Sequence, residues 1–410
     1  MGMKCRHCDS DLTFELIDLG SAPPSNAYLT AVSLRRPEKW FPLRVLVCET
    51  CWLVQAESYS RAAELFNDEY AYFSSFSDAW LEHSKLYVEK TVSRFGLDES
   101  SLVVEIASND GYLLQYVQQR KIPCIGVEPT ASTASASRLK GIETIERFFG
   151  TEFAKNMRDD GKSADLMVAN NVLAHVPDIN NFVQAFSILL KKNGVATFEF
   201  PHLLKMISEN QFDTIYHEHF SYLSFTTVCE IFSKNGLEVF DVEEIGTHGG
   251  SLRVYSQKAA VGKQLVSSAV GSLLETENNA GMKSKEFYEQ FSSAADLAKL
   301  KLLDFLCRAK FENKTVVAYG AAAKGNTMLN YAGVRSDLVS YVVDRNPSKQ
   351  GKWLPGSRIP ILDEGQLRKT KPDYILILPW NLQKEIVQQL SYVREWGAKF
   401  VVAQPEFSEI

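Results

Sequence analysis

No apolar run in this 410-residue chain approaches the roughly 20 residues needed to cross a bilayer. The opening "MGMKCRHCDS" has no apolar signal core either, so no membrane association is expected and the cytoplasm is the expected location. Positive charge is also short. The net charge is −6 and no segment is rich in arginine, which leaves no bulk attraction to nucleic acid. Three motifs are missing too. Without G-x-G-x-x-G a dinucleotide turn is disfavoured, without G-x-x-x-x-G-K-[ST] an ATP loop is not implied, and without H-E-x-x-H the commonest catalytic zinc helix is absent. Histidine is scarce, seven in all, so any cluster of it carries weight.

What is present is the composition of a folded globular chain, 45% hydrophobic and 23% charged. At this length one core does not suffice, and two large domains plus a smaller one are expected. Cysteine is the first informative residue. Cys5 and Cys8 form one C-x2-C pair, Cys48 and Cys51 another, and two such knuckles supply four thiolates at tetrahedral spacing for a structural Zn²⁺. Four sulfurs close the site, so His7 inside the first knuckle is expected at the surface rather than on the metal. Cys124, Cys229 and Cys307 stand among apolar residues and read as small buried hydrophobes.

From Leu102 the text alternates strand and helix signals. "LVVEIASNDG" is an apolar strand entering a tight turn at Ala107 to Gly111, "YLLQYVQQR" is helical, and "CIGVEP" is a second strand ending at Glu128. Acids thus stand at two strand ends, Glu105 and Glu128. They suit a ligand with an amino-acid end and a ribose end and no phosphate, as in S-adenosyl-L-methionine. "ADLMVANNVLAHVPD" then opens from a strand into a loop carrying Asn170, Asn171 and His175, and "DINNFVQAFSILLKKNG" is an amphipathic helix expected to end at Gly194. The order is that of a class I methyltransferase. Asn170 and Asn171 can equally cap a loop, and Phe148 and Phe149 are more often core than an adenine shelf.

After a helical segment from about 262 to 309, "TVVAYGAAAKGNTMLNYAG" begins a second α/β domain. Backbone amides at Ala321 to Gly325, with Lys324 and Asn326, can cradle a diphosphate at a helix start. Asp344, at a later strand end, suits a ribose or simply a solvated loop. The cluster that remains is "TIYHEHFSYLS", which packs Tyr216, His217, Glu218, His219 and Tyr222 into seven positions. A metal site, an acid/base centre and a hydrogen-bonded strand compete for it. His-x-His with no evident closed ligand set argues against the metal. In an extended strand Glu218 and His219 would face opposite ways, so their joint use of one site requires a turn.

Taken in order, the cysteine pairs, "VVEIASNDGYLL", "NNVLAHV", "YHEHFSYLS", "THGGSLRVY" and "VAYGAAAKGNT" closely resemble the sugar C-methyltransferases, which methylate C-3 of nucleotide-linked 4-keto deoxysugars as in tetronitrose biosynthesis. The resemblance covers nearly the whole chain. It implies a zinc-binding segment (1–68), a class I S-adenosylmethionine methyltransferase domain of Rossmann-like fold (69–260) and a C-terminal Rossmann-like domain for the sugar nucleotide (261–410). It implies that Tyr216, Glu218 and His219 line the active site with His219 as base. His175 is a second candidate, and Tyr70, with Tyr72 near it, a third. Glu105, Ala107, Asn109, Gly111, Glu128, Asn170 and Asn171 would hold the cofactor, although Ala107 stands where the family has a glycine. Lys324 and Asn326 would bind the substrate. A zinc-stabilised RNA methyltransferase and a noncatalytic nucleotide-binding scaffold are the rival readings, and nothing in the sequence calls for an obligate protein partner.

Overall fold

The computed structural model describes residues 3–59 and 73–410; Tyr70 and Tyr72 lie outside them. Among the described residues, three sheets carry the fold. The central one has seven strands in the order Leu237–Ile245, Ser251–Lys258, Leu190–Pro201, Ala164–Asn170, Val103–Ile106, Cys124–Val127 and Glu143–Ile145. All its pairings are parallel except those of Ser251–Lys258, which runs against both neighbours. This is the class I methyltransferase sheet. Helices cover both faces, so its middle strands are buried along their length: every residue of Val103–Ile106, Glu105 included, is buried.

The C-terminal sheet runs Ile361–Leu362, Val342–Val343, Val316–Tyr319, Tyr374–Ile377, Lys399–Val402 and Ser408–Glu409, parallel but for the last strand. Numbered along the chain, that order is 3-2-1-4-5-6, the doubly wound arrangement. The N-terminal sheet is antiparallel, with strands Phe14–Ala22, Phe41–Val47, Val54–Ala56 and, from far along the chain, Ser221–Tyr222. Its fourth strand therefore belongs to the histidine-rich stretch. Among the described residues no helix is long and apolar enough to cross a membrane.

Several sequence expectations need correction. The helix from Ile179 stops at Leu189 and the strand begins at Leu190, so Gly194 lies inside a strand. A Cβ there would approach the Ala164 carbonyl oxygen to 2.7 Å, which is why glycine stands at this point. The long helical segment is two helices, Ser268–Asn279 and Phe291–Phe311, with Gly281 at φ +79° between them. Cys307 is exposed. His7 is buried, because its Nδ1 meets Asn180 Oδ1 at 2.8 Å as the knuckle docks on the central domain.

Candidate active site

One cavity of about 690 Å³ takes its walls from all three parts of the chain: Asn26 from the N-terminal segment, Asn109, Glu128, His175 and His219 from the central domain, and Lys324 from the C-terminal domain. Its cofactor end is built on strand ends. Ala107 and Asn109 follow Val103–Ile106, Glu128 follows Cys124–Val127, and Asn170 and Asn171 lie at the end of Ala164–Asn170; all five line the cavity. Ala107 (φ +55°), Asn109 (+50°) and Asn171 (+52°) are left-handed. The alanine thus holds a conformation that glycine adopts more cheaply. Glu128 is fixed by two backbone donors, the N–H of Asn109 to Oε2 and of Thr130 to Oε1, both 2.9 Å. Burial raises its pKa, and those donors oppose the rise.

Glu105 and Gly111 do not line the cavity. Glu105 is fully buried, and burial pushes its carboxyl well above the usual range, with Tyr112 nearby opposing the rise. Gly111 serves packing, since a Cβ there would meet Ile142 Cδ1 at 2.5 Å and Ser137 Oγ at 2.8 Å. Phe149 is packed edge-on against Phe153, Phe182 and Phe186 and still contributes to the wall. Phe148, half exposed, borders the same end.

At the other end the required turn is present. The N–H of His219 donates to the Tyr216 carbonyl at 2.9 Å and closes a turn over His217 and Glu218. Tyr216 and His219 line the cavity with ring centroids 3.9 Å apart, and the His175 ring stands edge-on to His219 at 4.6 Å. Each imidazole has its Nδ1 on a backbone carbonyl, His219 on Thr214 and His175 on Glu218, both at 2.8 Å. A carbonyl only accepts, so each Nδ1 carries the proton and each Nε2 is the basic nitrogen. Burial lowers the pKa of His175 to about 4. It lowers that of His219 well below the imidazole range, helped by charge on His175. Both rings are neutral at neutral pH.

The turn separates the cluster into two functions. Glu218 does not line the cavity: its Oε1 accepts from the backbone N–H of Asn26 (3.2 Å) and from Asn26 Nδ2 (3.1 Å), and so fixes a residue that does. His217 also turns away, with Nε2 3.3 Å and 3.2 Å from the carbonyls of Phe41 and Pro42. All three parts of the chain hold the turn. Phe220 donates to the Ala174 carbonyl (2.8 Å) and accepts from Ala56 (3.1 Å), while Thr327 Oγ1 donates to the Ile215 carbonyl (2.8 Å).

In the C-terminal domain the half-buried Lys324 lines the cavity, and Asn326, fully buried on the same helix Ala323–Tyr331, does not. Asp344 does not line it either, because it holds the glycine turn: its Oδ2 accepts the N–H of Ala321 at 2.7 Å. Sequence reasoning missed Asn26, Trp80 and His248 on the wall. Only His248 had a signal, the glycine pair after it. A Cβ on Gly249 would collide with Trp380, and His248 itself is left-handed at φ +56°. Its Nε2 lies 3.2 Å from Asn171 Nδ2 and joins the two ends of the cavity.

The four cysteines converge. Cys5 and Cys51 sulfurs are 3.6 Å apart, those of Cys8 and Cys48 3.5 Å, and all four lie within 4.8 Å of one another. Zn–S bonds of about 2.3 Å at tetrahedral angles require sulfur spacings of about 3.8 Å, so the set fits Zn²⁺. The knuckle also reaches the histidine-rich stretch. Gln55 Nε2 lies 3.3 Å from Cys5 Sγ, Arg6 donates to the Ala56 carbonyl at 2.8 Å, and the Arg6 guanidinium lies over the Phe220 ring at 5.4 Å.

Comparison with known proteins agrees with this architecture. Residues 5–66 match a zinc binding domain, 80–242 a methyltransferase domain and 246–405 a C-methyltransferase C-terminal domain. The C-methyltransferase NovU of Streptomyces niveus is 34% identical over 403 residues, covering 98% of this chain and 96% of that protein. Among solved structures, the magnesium protoporphyrin IX methyltransferase ChlM of Synechocystis with bound SAH is 13% identical, covers 44% of this chain and 83% of its own, and has a TM-score of 0.36. An S-adenosylmethionine-dependent methyltransferase from Clostridium acetobutylicum is 11% identical over 43% of this chain and 92% of its own, with the same TM-score. Likenesses that low carry no argument. The near full-length identity to NovU and the three matched domains do: the chain belongs to the C-methyltransferase family, with S-adenosylmethionine as methyl donor and zinc as the metal of its N-terminal cysteines.

Proposed function

We propose that the protein methylates C-3 of a nucleotide-linked 4-keto deoxysugar through an enolate, in the biosynthesis of a branched sugar. One observation carries the reading. Two neutral imidazoles of fixed tautomer, His219 and His175, stand 4.6 Å apart in the cavity that Glu128 also lines. Methylation of carbon needs a carbanion equivalent, and a proton beside a ketone is acidic enough for a positioned imidazole to remove. His219 Nε2 takes that proton, Tyr216 hydrogen-bonds the enolate oxygen, and His175 stands beside the base. Glu218 shapes the wall through Asn26. S-adenosylmethionine, when bound, would supply the electrophilic methyl group, its sulfonium becoming a neutral thioether. Glu128, Asn109 and Asn171 would hold it, since a carboxylate set by two amides still has lone pairs for ribose hydroxyls.

The direct test is incubation with labelled S-adenosylmethionine and a panel of dTDP- and UDP-linked 4-keto-6-deoxyhexoses, with bulk RNA as the competing acceptor. Mass spectrometry should find one added methyl on a sugar carbon, and label in RNA alone would reject the reading. Glu128→Ala should weaken cofactor binding by about 1.5–3 kcal/mol, the worth of a hydrogen bond to a charged group. Calorimetry giving the wild-type affinity would remove Glu128 from the site.

The buried histidines also set a pH dependence. The base must be neutral, and its pKa in the folded protein is depressed, so the active form persists as pH falls through the ordinary imidazole range. The acid limb of kcat/KM should lie well below 6.5, and a limb centred there would exclude both rings. Stability follows the same sign. Neutral burial of these rings stabilises the fold above the unfolded-state pKa, and that contribution is lost as pH falls through the folded-state pKa.

A further inference from the structure

Lys324 has no part in the chemistry described so far, yet its surroundings are unusual. The residue is half-buried and lines the cavity. Its Nζ donates to the His248 carbonyl at 3.1 Å and lies 4.5 Å over the centre of the Trp380 ring. That indole in turn donates to Asp213 Oδ2 at 2.7 Å, and Asp213 lies one residue before the carbonyl that fixes His219. An ammonium has three donors, and among the described residues one is used. Lys324 stands in the first turn of the helix Ala323–Tyr331, whose start has no side-chain cap, so the helix dipole adds positive potential to the ammonium. Such a charge, half-buried on the cavity wall and held by a carbonyl and a ring, is preorganised for an anion that forms inside the cavity.

From this placement, and resting on the sugar reading above, we propose that Lys324 is a catalytic residue that stabilises the enolate oxygen as it forms. When His219 Nε2 takes the C-3 proton, the C–H electron pair becomes the C-3 to C-4 double bond and the carbonyl pair moves onto oxygen. The positive charge gained by the imidazole and the negative charge gained by oxygen balance. Tyr216 meets that oxygen with a neutral hydrogen bond, and Lys324 with a charged one. The same ammonium adds to the effect of burial on the nearby rings: burial lowers the pKa of both His248 and His219, and Lys324 lowers it further, behind His175 in the case of His219. A diphosphate would bring its charge with it and would gain from Lys324 in the ground state, which separates the two roles experimentally.

The test uses the full zinc-loaded chain and the 4-keto sugar nucleotide from the panel that the wild type methylates best. Lys324→Met should lower kcat and the rate of deuterium exchange into C-3 together, by about 10²–10³-fold for one lost oxyanion donor. KM and the affinity for dTDP or UDP alone should stay within about threefold. Lys324→Arg keeps the charge and should recover part of the exchange. If Lys324→Met melts early, Lys324→Gln gives the same reading with a polar side chain. Exchange at the wild-type rate would overturn the proposal, and so would a rise in KM with kcat unchanged and weaker nucleotide binding, which would make Lys324 a diphosphate anchor. The wild type is the control for the reading beneath. If it neither exchanges C-3 of any panel member nor methylates one, the sugar assignment fails, whereas wild-type exchange that persists undiminished in Lys324→Met rejects the lysine's role alone.

Discussion

His219→Asn is expected to leave the protein folded and able to bind both ligands while C-3 exchange and methyl transfer fall together by about 10²–10⁴-fold, the usual loss for a general base. Asparagine is a demanding choice because it removes little else. Its amide nitrogen can replace Nδ1 as donor to the Thr214 carbonyl, now bridged at 2.8 Å, so the turn keeps its hydrogen bond and loses only the basic Nε2. The coupling of the two rates is the informative result. If deuterium still entered C-3 at the wild-type rate while methylation failed, proton removal would belong to another group. His175, 4.6 Å away and held in the same tautomer, would be the first suspect. His175→Asn assigns the role by comparison, and unchanged rates in both variants would reject an imidazole base.

Zinc removal is expected to cost more than the N-terminal segment. Metal analysis should find one equivalent per chain, held by Cys5, Cys8, Cys48 and Cys51, and structural zinc in small domains contributes apparent free energies of about 10–16 kcal/mol. The segment has little else at its tip, so chelation should unfold it. The consequence reaches the active site because Val54–Ala56 pairs with Ser221–Tyr222, Ala56 bonds Phe220, and Arg6 covers the Phe220 ring. Phe220 is the residue after His219, and its N–H holds Ala174, the residue before His175. Stripping zinc should therefore lower near-ultraviolet dichroism and C-3 exchange in parallel, and restoring zinc should return both. A zinc-free chain with full activity and a native N-terminal segment would defeat the idea. The closed donor set still excludes a direct chemical role for the metal.

The cysteine ligands could be read from sequence because metal spacing is a local property, and C-x2-C has the same meaning whatever surrounds it. The central sheet was legible for a related reason. Parallel strands covered on both faces must be largely apolar, so "LVVEI" and "ADLMVA" announce themselves, and the acid or amide that follows each run falls at the sheet's carboxyl edge. Asn109, Glu128, Asn170, Asn171 and His175 follow from that rule and all line the cavity. Direction did not follow. Glu105, one strand residue short of the edge, is buried away from it, and Gly111 answers to Ile142 and Ser137 rather than to a ligand.

For "YHEHFSYLS" the sequence determined which groups were available, and only the tertiary structure decided which of them meet. A nine-residue stretch has no periodicity from which a turn can be inferred, and here the turn is imposed from outside, by Ala174, Ala56 and Thr327, residues 46, 164 and 112 positions distant from their partners in the chain. Those bonds direct Tyr216 and His219 into the cavity and send His217 and Glu218 to the N-terminal segment. His248 and Lys324 come beside them by the same kind of long-range contact. The chemistry of a side chain is written in one residue, whereas its direction is a property of everything that bonds to the backbone around it.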